Sequence, residues 1–298
     1  MTPDDGPPGA GATYADLLWA TAGRVRDRLR GRWVWGVIEP PLLRIAPRVF
    51  PGPFAESTAT GPGGIRFALP PHLPAARTYR AGRYEPQLTD WFVRSIRPGW
   101  TVVDGGANIG YYALIASRLA GPTGRVYAFE PDPWNFGYLA RNLESNRCTN
   151  ALPVPLALSD VSHRATFVRD RFGTEGHLSP GARRGPDAIE VGTTTLDAFL
   201  RERGWPGDLL IKLDLEGGEA PALRGMRETC LRATELRVIL ELSPGAIHRG
   251  GSSFDELRQG LLELGLHRAR PIDGEGPEIR LESDPLRAAS TVNLLALR

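Results

Sequence analysis

Apolar and polar residues follow two periods in turn along most of this chain. From Glu85 onward, short apolar runs alternate with stretches in which apolar residues recur every three or four positions. These are the periods of buried strands and of helices packed on one face. The pattern predicts helix 86–96, strand 100–105, helix 109–120, strand 125–130, helix 134–146 and strand 151–157. A hairpin is expected near 163–169 and 188–192, then helix 195–203, strand 208–215, helix 218–230, strand 237–242, helix 253–264 and closing strands near 266–271 and 290–297. Strands separated by helices imply an α/β fold with a doubly wound, mostly parallel sheet. Ligands of such sheets lie at the carboxyl ends of the strands.

The pattern ahead of residue 85 is different. Residues 1–12 are mostly Pro, Gly and Asp with nothing to bury, and read as a disordered tail. Leu17, Leu18, Ala22, Val25 and Leu29 then recur at helical spacing among Arg24, Arg28 and Arg30, which predicts a helical extension. Scattered arginines mark a solvated face, which favours a helix packed on the main domain. The other reading is an amphipathic segment in peripheral contact with a membrane or a protein. Residues 51–86 are rich in Pro and Gly and suggest a linker or irregular cap, with a short strand in GGIRFALP. The expected division is an N-terminal tail, extension and cap over 1–84 and a main domain over 85–298.

Composition narrows the picture only a little. A chain of 298 residues accommodates one α/β domain of roughly 200 residues plus an extension. No nucleic-acid partner is expected at a formal net charge of +2. Cys148 and Cys230 are far apart and form neither a disulfide framework nor a zinc pattern. With no apolar run of about 18 residues and no leader-like N-terminus, a cytoplasmic protein is expected. Lys212 is the sole lysine among 36 basic residues. Codon usage explains the arginine bias, yet a lone amine can be desolvated and tuned as a guanidinium cannot.

Candidate chemistry begins at TVVDGGANIG, a buried-type strand ending in an acid and two glycines ahead of a helix. Gly105, Gly106 and Gly110 let a ligand approach the backbone and let the helix pack closely, with Asn108 near the helix start. Asp104 can accept a hydrogen bond from a cationic or hydroxylated ligand, directly or through water, whereas it would repel a pyrophosphate. The spacing also departs from G-x-G-x-x-G. Glu130 ends the second strand, where a carboxylate can accept both ribose hydroxyls. Asp160, in LALSD after the third strand, is placed to accept from an adenine amino group. Each acid alone could be a cap or a surface charge; together they read as a nucleoside set.

The segments VVDGGANIGYYAL, VYAFEPDPWNFGYLARN, LALSD, TTLDAFL, IKLDLEGGEAPALRG, ILELSP and NLLAL resemble the FkbM family of S-adenosylmethionine-dependent methyltransferases, over roughly residues 85–297. KLDLEGGE is the most specific of them. Gly105 stands where Val is commoner and Gly218 where Ala is commoner, and neither change removes a polar group. The resemblance implies a seven-stranded class I, Rossmann-like sheet, S-adenosylmethionine as cofactor, and O-methylation of a hydroxyl on a natural product, a sugar or a glycan. The cofactor residues are then Asp104, Gly106, Asn108, Gly110, Glu130 and Asp160.

Lys212, Asp214 and Glu216 alternate, so an extended strand would turn them to one side. Asp214 is expected to orient the acceptor or remove its proton, with Lys212 as its electrostatic partner; the bland reading is a buried pair that only satisfies its own charges. His177, in a loop over the cleft, is an alternative base. Glu216 and Glu219 suit a helix start. Asp214 with Glu216 or Glu241 offers hard oxygen ligands for magnesium, but the sequence gives no clear third ligand and no metal site is expected. Most of the aromatic residues Tyr111, Tyr112, Trp134 and Phe136 read as core, while Trp134 could flank an adenine. Two further classes stay open: a nicotinamide-dependent oxidoreductase on a similar sheet, and a noncatalytic adaptor that keeps the fold.

Overall fold

The computed structural model describes residues 57–70, 73, 75–82, 84–169, 176–179, 181, 185–273 and 276–298. The expected N-terminal helix, and its contact with a membrane or a protein, lie outside the described residues. Thr58–Leu69 and Leu73–Arg298 form one compact unit.

In chain order the unit opens with strands Ser57–Thr60 (β1) and Arg66–Leu69 (β2) and helices Ala76–Arg80 (α1) and Pro86–Ser95 (α2). The alternation follows with Thr101–Gly105 (β3), Tyr111–Ala120 (α3), Arg125–Phe129 (β4), Pro133–Ser145 (α4) and Ala151–Val154 (β5). Next come Ala157–Leu158 (β6), Arg164–Arg169 (β7), Gly176–Leu178 (β8), Ala188–Thr194 (β9), Leu196–Arg201 (α5) and Asp208–Leu213 (β10). The last part holds Glu219–Arg224 (α6), Arg227–Arg232 (α7), Glu235–Leu242 (β11), Pro244–Arg249 (α8), Phe254–Glu263 (α9), Arg268–Pro271 (β12), Ile279–Arg280 (β13) and Val292–Leu297 (β14).

Eight strands make the main sheet, in the order β13-β12-β14-β11-β10-β3-β4-β5. The seven expected strands are all there, and the two-residue β13 adds an edge to them. Strands β11, β10, β3, β4 and β5 run parallel, while β14 lies antiparallel between β11 and β12. Every residue of β3 is buried, and so are five of the six in β10. Helices cover both faces, so these strands read as continuous apolar runs. Val102, Val126 and Leu210 face one core with Leu88, Phe92 and Leu114 from α2 and α3. Val103, Phe129 and Ile211 face the other with Leu200, Leu223 and Leu261 from α5, α6 and α9.

Local chemistry sets the element boundaries. Pro133 opens α4, and Asp132 caps it by accepting from the backbone N–H groups of Trp134 and Asn135. Ser253 and Glu256 form a reciprocal capping box on α9. The expected strand 151–157 is divided: β5 joins the main sheet, while β6 joins β7, β8 and β9 in a smaller one, because Pro153 and Pro155 have no N–H for a continuous ladder. The expected helix 218–230 is likewise broken into α6 and α7 at Gly225. There the chain passes so close to the Ser159 carbonyl oxygen that a Cβ on Gly225 would lie 2.0 Å from it.

Candidate active site

Residues at the carboxyl ends of β3, β4, β10 and β11 line one cavity. Asp104 on β3 is 1% exposed, and neither of its carboxylate oxygens has a hydrogen-bond partner among the described residues. Burial raises its pKa to about 6; Lys212, its register partner across β3 and β10, opposes the rise, and Asp214 adds to it.

The glycine turn after β3 is held by main-chain contacts. Gly106 and Ala107 both donate to the Phe129 carbonyl oxygen, at 3.0 and 2.9 Å. Gly106 has φ +77°, and a Cβ there would lie 1.9 Å from the Asp214 carbonyl oxygen, while the Asp214 N–H donates to Gly105 at 3.1 Å. The turn after β3 and the turn after β10 are therefore closed on one another, and only glycine fits between them. Asn108 has φ +50° and folds its side chain onto the Ile109 N–H at 2.8 Å. Gly110, at φ +96°, starts α3 against Leu139.

Glu130 follows β4 and is 4% exposed. One of its oxygens accepts from the Asn108 N–H at 2.8 Å and the other from the Asp132 N–H at 2.9 Å. Burial lifts its pKa to about 8 against the pull of these two donors. Each oxygen keeps a lone pair for a further donor, such as a ligand hydroxyl.

On the other side of the cavity, Lys212 is 2% exposed. Its Nζ donates to Asp214 at 3.0 Å and stands 5.0 Å from the Tyr112 ring centroid. Burial opposes its charge, but Asp214, Asp104 and Glu85 outweigh that and raise its pKa. Carboxylate oxygens of Asp214, Glu216 and Glu241 lie within 4.8 Å of one another, so the two acids that the sequence offered as alternatives beside Asp214 are brought together with it. Glu241 is driven up to about 9 by burial, then by repulsion from Asp214 and Glu216. Arg249 reaches Glu216 at 3.4 Å. Glu216 lies in the turn after β10 at φ +52°, and it is Glu219 that opens α6. Glu219 ties that turn down by accepting from the N–H groups of Leu215 and Gly217.

Several expected residues lie elsewhere. Asp160 is not part of the cavity lining; Arg224 holds its carboxylate at 2.9 and 3.1 Å. Ala157, Leu158, Phe167, Gly176 and Leu178 line that end instead. His177 sits between Gly176 and Leu178 on β8, and the strand's alternation turns it to the opposite face. Trp134 is 53% exposed and outside the lining.

Glu85, Tyr79 and Tyr84 line the cavity without having been expected there. The Tyr112 hydroxyl donates to Glu85 at 2.7 Å. Glu85-Pro86 was a usable signal, since Pro at the first helical position marks Glu85 as a helix cap, where Ser, Thr, Asp or Asn is usual.

A doubly wound sheet with an antiparallel strand β14, a glycine turn after β3 and an acid at the tip of β4 is the fold of class I S-adenosylmethionine-dependent methyltransferases. Residues 104–267 match the methyltransferase FkbM domain, and the chain belongs to that family. It is 31% identical over 232 residues to the 31-O-demethyl-FK506 methyltransferase FkbM of Streptomyces tacrolimicus, covering 68% of this chain and 82% of that one. Hexuronic acid methyltransferase AglP of Haloferax volcanii is 29% identical over 142 residues, 48% of this chain and 55% of the relative. Among solved structures, a putative rRNA methylase from Clostridium thermocellum aligns with a TM-score of 0.43 and 9% identity, over 71% of this chain and 93% of its own. Family membership sets aside the nicotinamide-dependent alternative. No helix among the described residues is long and apolar enough to cross a membrane.

Proposed function

We propose that this chain is an S-adenosylmethionine-dependent O-methyltransferase acting on a hydroxyl of a natural product, a sugar or a glycan. The observation that carries the reading is that a buried nucleoside-type acid, Glu130, and a buried Lys212 paired with the half-buried Asp214 line the same cavity. The relatives named for 31-O-demethyl-FK506 and for a hexuronic acid support a hydroxylated acceptor.

In this reading Glu130 accepts the ribose hydroxyls and Asp104 faces the cationic end of the cofactor. Gly106, Asn108 and Gly110 shape the turn on which the cofactor rests. Methyl transfer from a sulfonium is an in-line displacement, so alignment supplies most of the rate. Asp214 orients the acceptor or takes its proton, and Lys212 fixes Asp214. Calorimetric titration with S-adenosylmethionine tests the reading, and absence of saturable binding would sink it. Asp214→Asn is expected to keep the cofactor affinity within about threefold while labelled methyl transfer falls roughly 10²–10⁴-fold. A noncatalytic adaptor would show no transfer to lose.

The approach of Asp214, Glu216 and Glu241 supports a second reading, in which these acids hold magnesium. Transfer that persists undiminished in EDTA would remove it.

A further inference from the structure

Glu85 lies outside the matched family segment 104–267, yet it lines the cavity. Its backbone is left-handed, at φ +39° and ψ +65°, and its side chain caps no N–H of α2. A non-glycine residue in this region is held there against its preference, which is characteristic of functional sites. The Glu85 carbonyl still accepts the first helical bond, from the Thr89 N–H at 2.8 Å, while its carboxylate is left to the cavity. The Tyr112 hydroxyl, at 2.7 Å, is the only hydrogen-bond donor to that carboxylate among the described residues.

The groups around it are mixed in charge. Tyr79 and Tyr84 come from its own segment and Tyr112 from α3. Lys212 and Asp214 belong to β10 and the turn after it, Glu241 to β11, Asp104 to β3, and Asp273 follows β12. Burial is the largest influence on Glu85 and raises its proton affinity; Lys212 and Tyr112 act against the rise, and Asp214 and Asp273 add to it. Asp214, by contrast, has an oxygen engaged by the Lys212 ammonium. Among the described residues Glu85 has no ion-pair partner at contact distance, and only the more distant Lys212 charge and the Tyr112 hydroxyl oppose its protonation.

Resting on the methyltransferase reading above, we propose that Glu85 receives the acceptor's hydroxyl proton as the sulfonium charge disappears, leaving Asp214 to orient the acceptor. The O–H bond breaks and its proton passes to the Glu85 carboxylate. The oxygen's electron pair forms the new bond to the methyl carbon, and the S–CH₃ pair stays on sulfur. A sulfonium and a carboxylate thus become a thioether and a carboxylic acid, so no charge is created in the cavity. The donor's positive charge keeps Glu85 ionised before transfer, and loss of that charge favours its protonation.

This coupling can be read without an acceptor by comparing S-adenosylmethionine with its demethylated thioether, S-adenosylhomocysteine. Calorimetry of the full chain near neutral pH, in two buffers of unlike ionisation enthalpy, counts the protons taken up with each ligand. The thioether is expected to bring in more protons than the sulfonium, by roughly a third of a proton or more. Glu85→Gln lowers the difference to the share that Asp104 and the other raised acids contribute, and Glu190→Gln, exposed on β9, leaves it whole. Equal proton counts in the wild type, or a difference undiminished in Glu85→Gln, overturns the proposal. Should Glu85→Gln not fold, Tyr112→Phe serves instead: without its donor the carboxylate holds a proton to higher pH, so the difference peaks at higher pH, and an unmoved peak overturns the proposal. Wild-type protein that binds neither ligand overturns the methyltransferase reading itself, and the Glu85 step with it.

Discussion

The two ends of the cavity hold their carboxylates by different means. At one end, both oxygens of Glu130 accept from backbone N–H groups, those of Asn108 and Asp132. At the other end Glu85, Asp214 and Glu216 are held by the side chains of Tyr112, Lys212 and Arg249. Main-chain donors are fixed by the course of the turns, so no substitution elsewhere removes them while the sheet stands. Side-chain partners can be removed one at a time. The first arrangement resists change, and the second is open to adjustment.

The contrast breaks most severely where the ends meet. Gly106→Ala places a methyl group against the Asp214 carbonyl at a backbone angle unsuited to alanine. A loss of about 3 kcal/mol is expected, a fall in Tm of roughly 6–12 °C, together with loss of cofactor binding. Scanning calorimetry and ligand titration check both, and an unchanged Tm would mean that the two turns separate freely. Glu130→Ala should weaken S-adenosylmethionine by about 30–150-fold, the equivalent of roughly 2–3 kcal/mol for hydrogen bonds to a charged group. Glu216→Gln, at the adjustable end, should stay within about threefold in the same titration.

Proton linkage sharpens the comparison further. Asp104, Glu219, Glu130 and Glu241 have pKa values raised to about 6, 7, 8 and 9 in the folded protein. Each binds a proton more tightly folded than unfolded, so its contribution is complete below the usual carboxylate range and is lost as pH rises through the folded value. Tm of the free protein is therefore expected to fall between pH 5 and pH 9 by several degrees. Saturating S-adenosylmethionine should flatten the decline, because hydroxyl donors and a cation favour the ionised acids. A Tm that rises over this window contradicts the burial of these groups. The smallest effect belongs to Asp160→Asn, which breaks a partly exposed pair with Arg224 for about 0–1 kcal/mol. Cofactor affinity should change less than about twofold, and a tenfold loss would return Asp160 to the adenine.

What the sequence made legible was local in the chain. An acid directly after an apolar run is an acid at a strand tip, and Asp104, Glu130 and Asp214 were all readable in that way. Glu241 was readable at the end of its strand in the same way, and the register of β11 on β10, with Leu240 opposite Leu213, is what brings it toward Asp214. Asp160 lies outside the cavity lining, held by Arg224, a partner 64 residues away that no short-range pattern reveals. Phe167 and Leu178 reach the lining through the pairing of β7 with β8, which is equally hidden from local sequence. Glu85 was passed over within a segment read as linker or cap, since its place depends on a left-handed turn and on a tyrosine 27 residues further on. The sheet itself was clear because its strands are buried on both faces and leave unbroken apolar runs.

The closure of Gly106 on Asp214 is made by main-chain atoms and is indifferent to the side chains around it. Descendants of such a chain can exchange Glu216 or Glu241 for other groups while the two turns stay closed on one another. The shape of one rim is then open to successive single substitutions, with the junction of β3 and β10 preserved at every step.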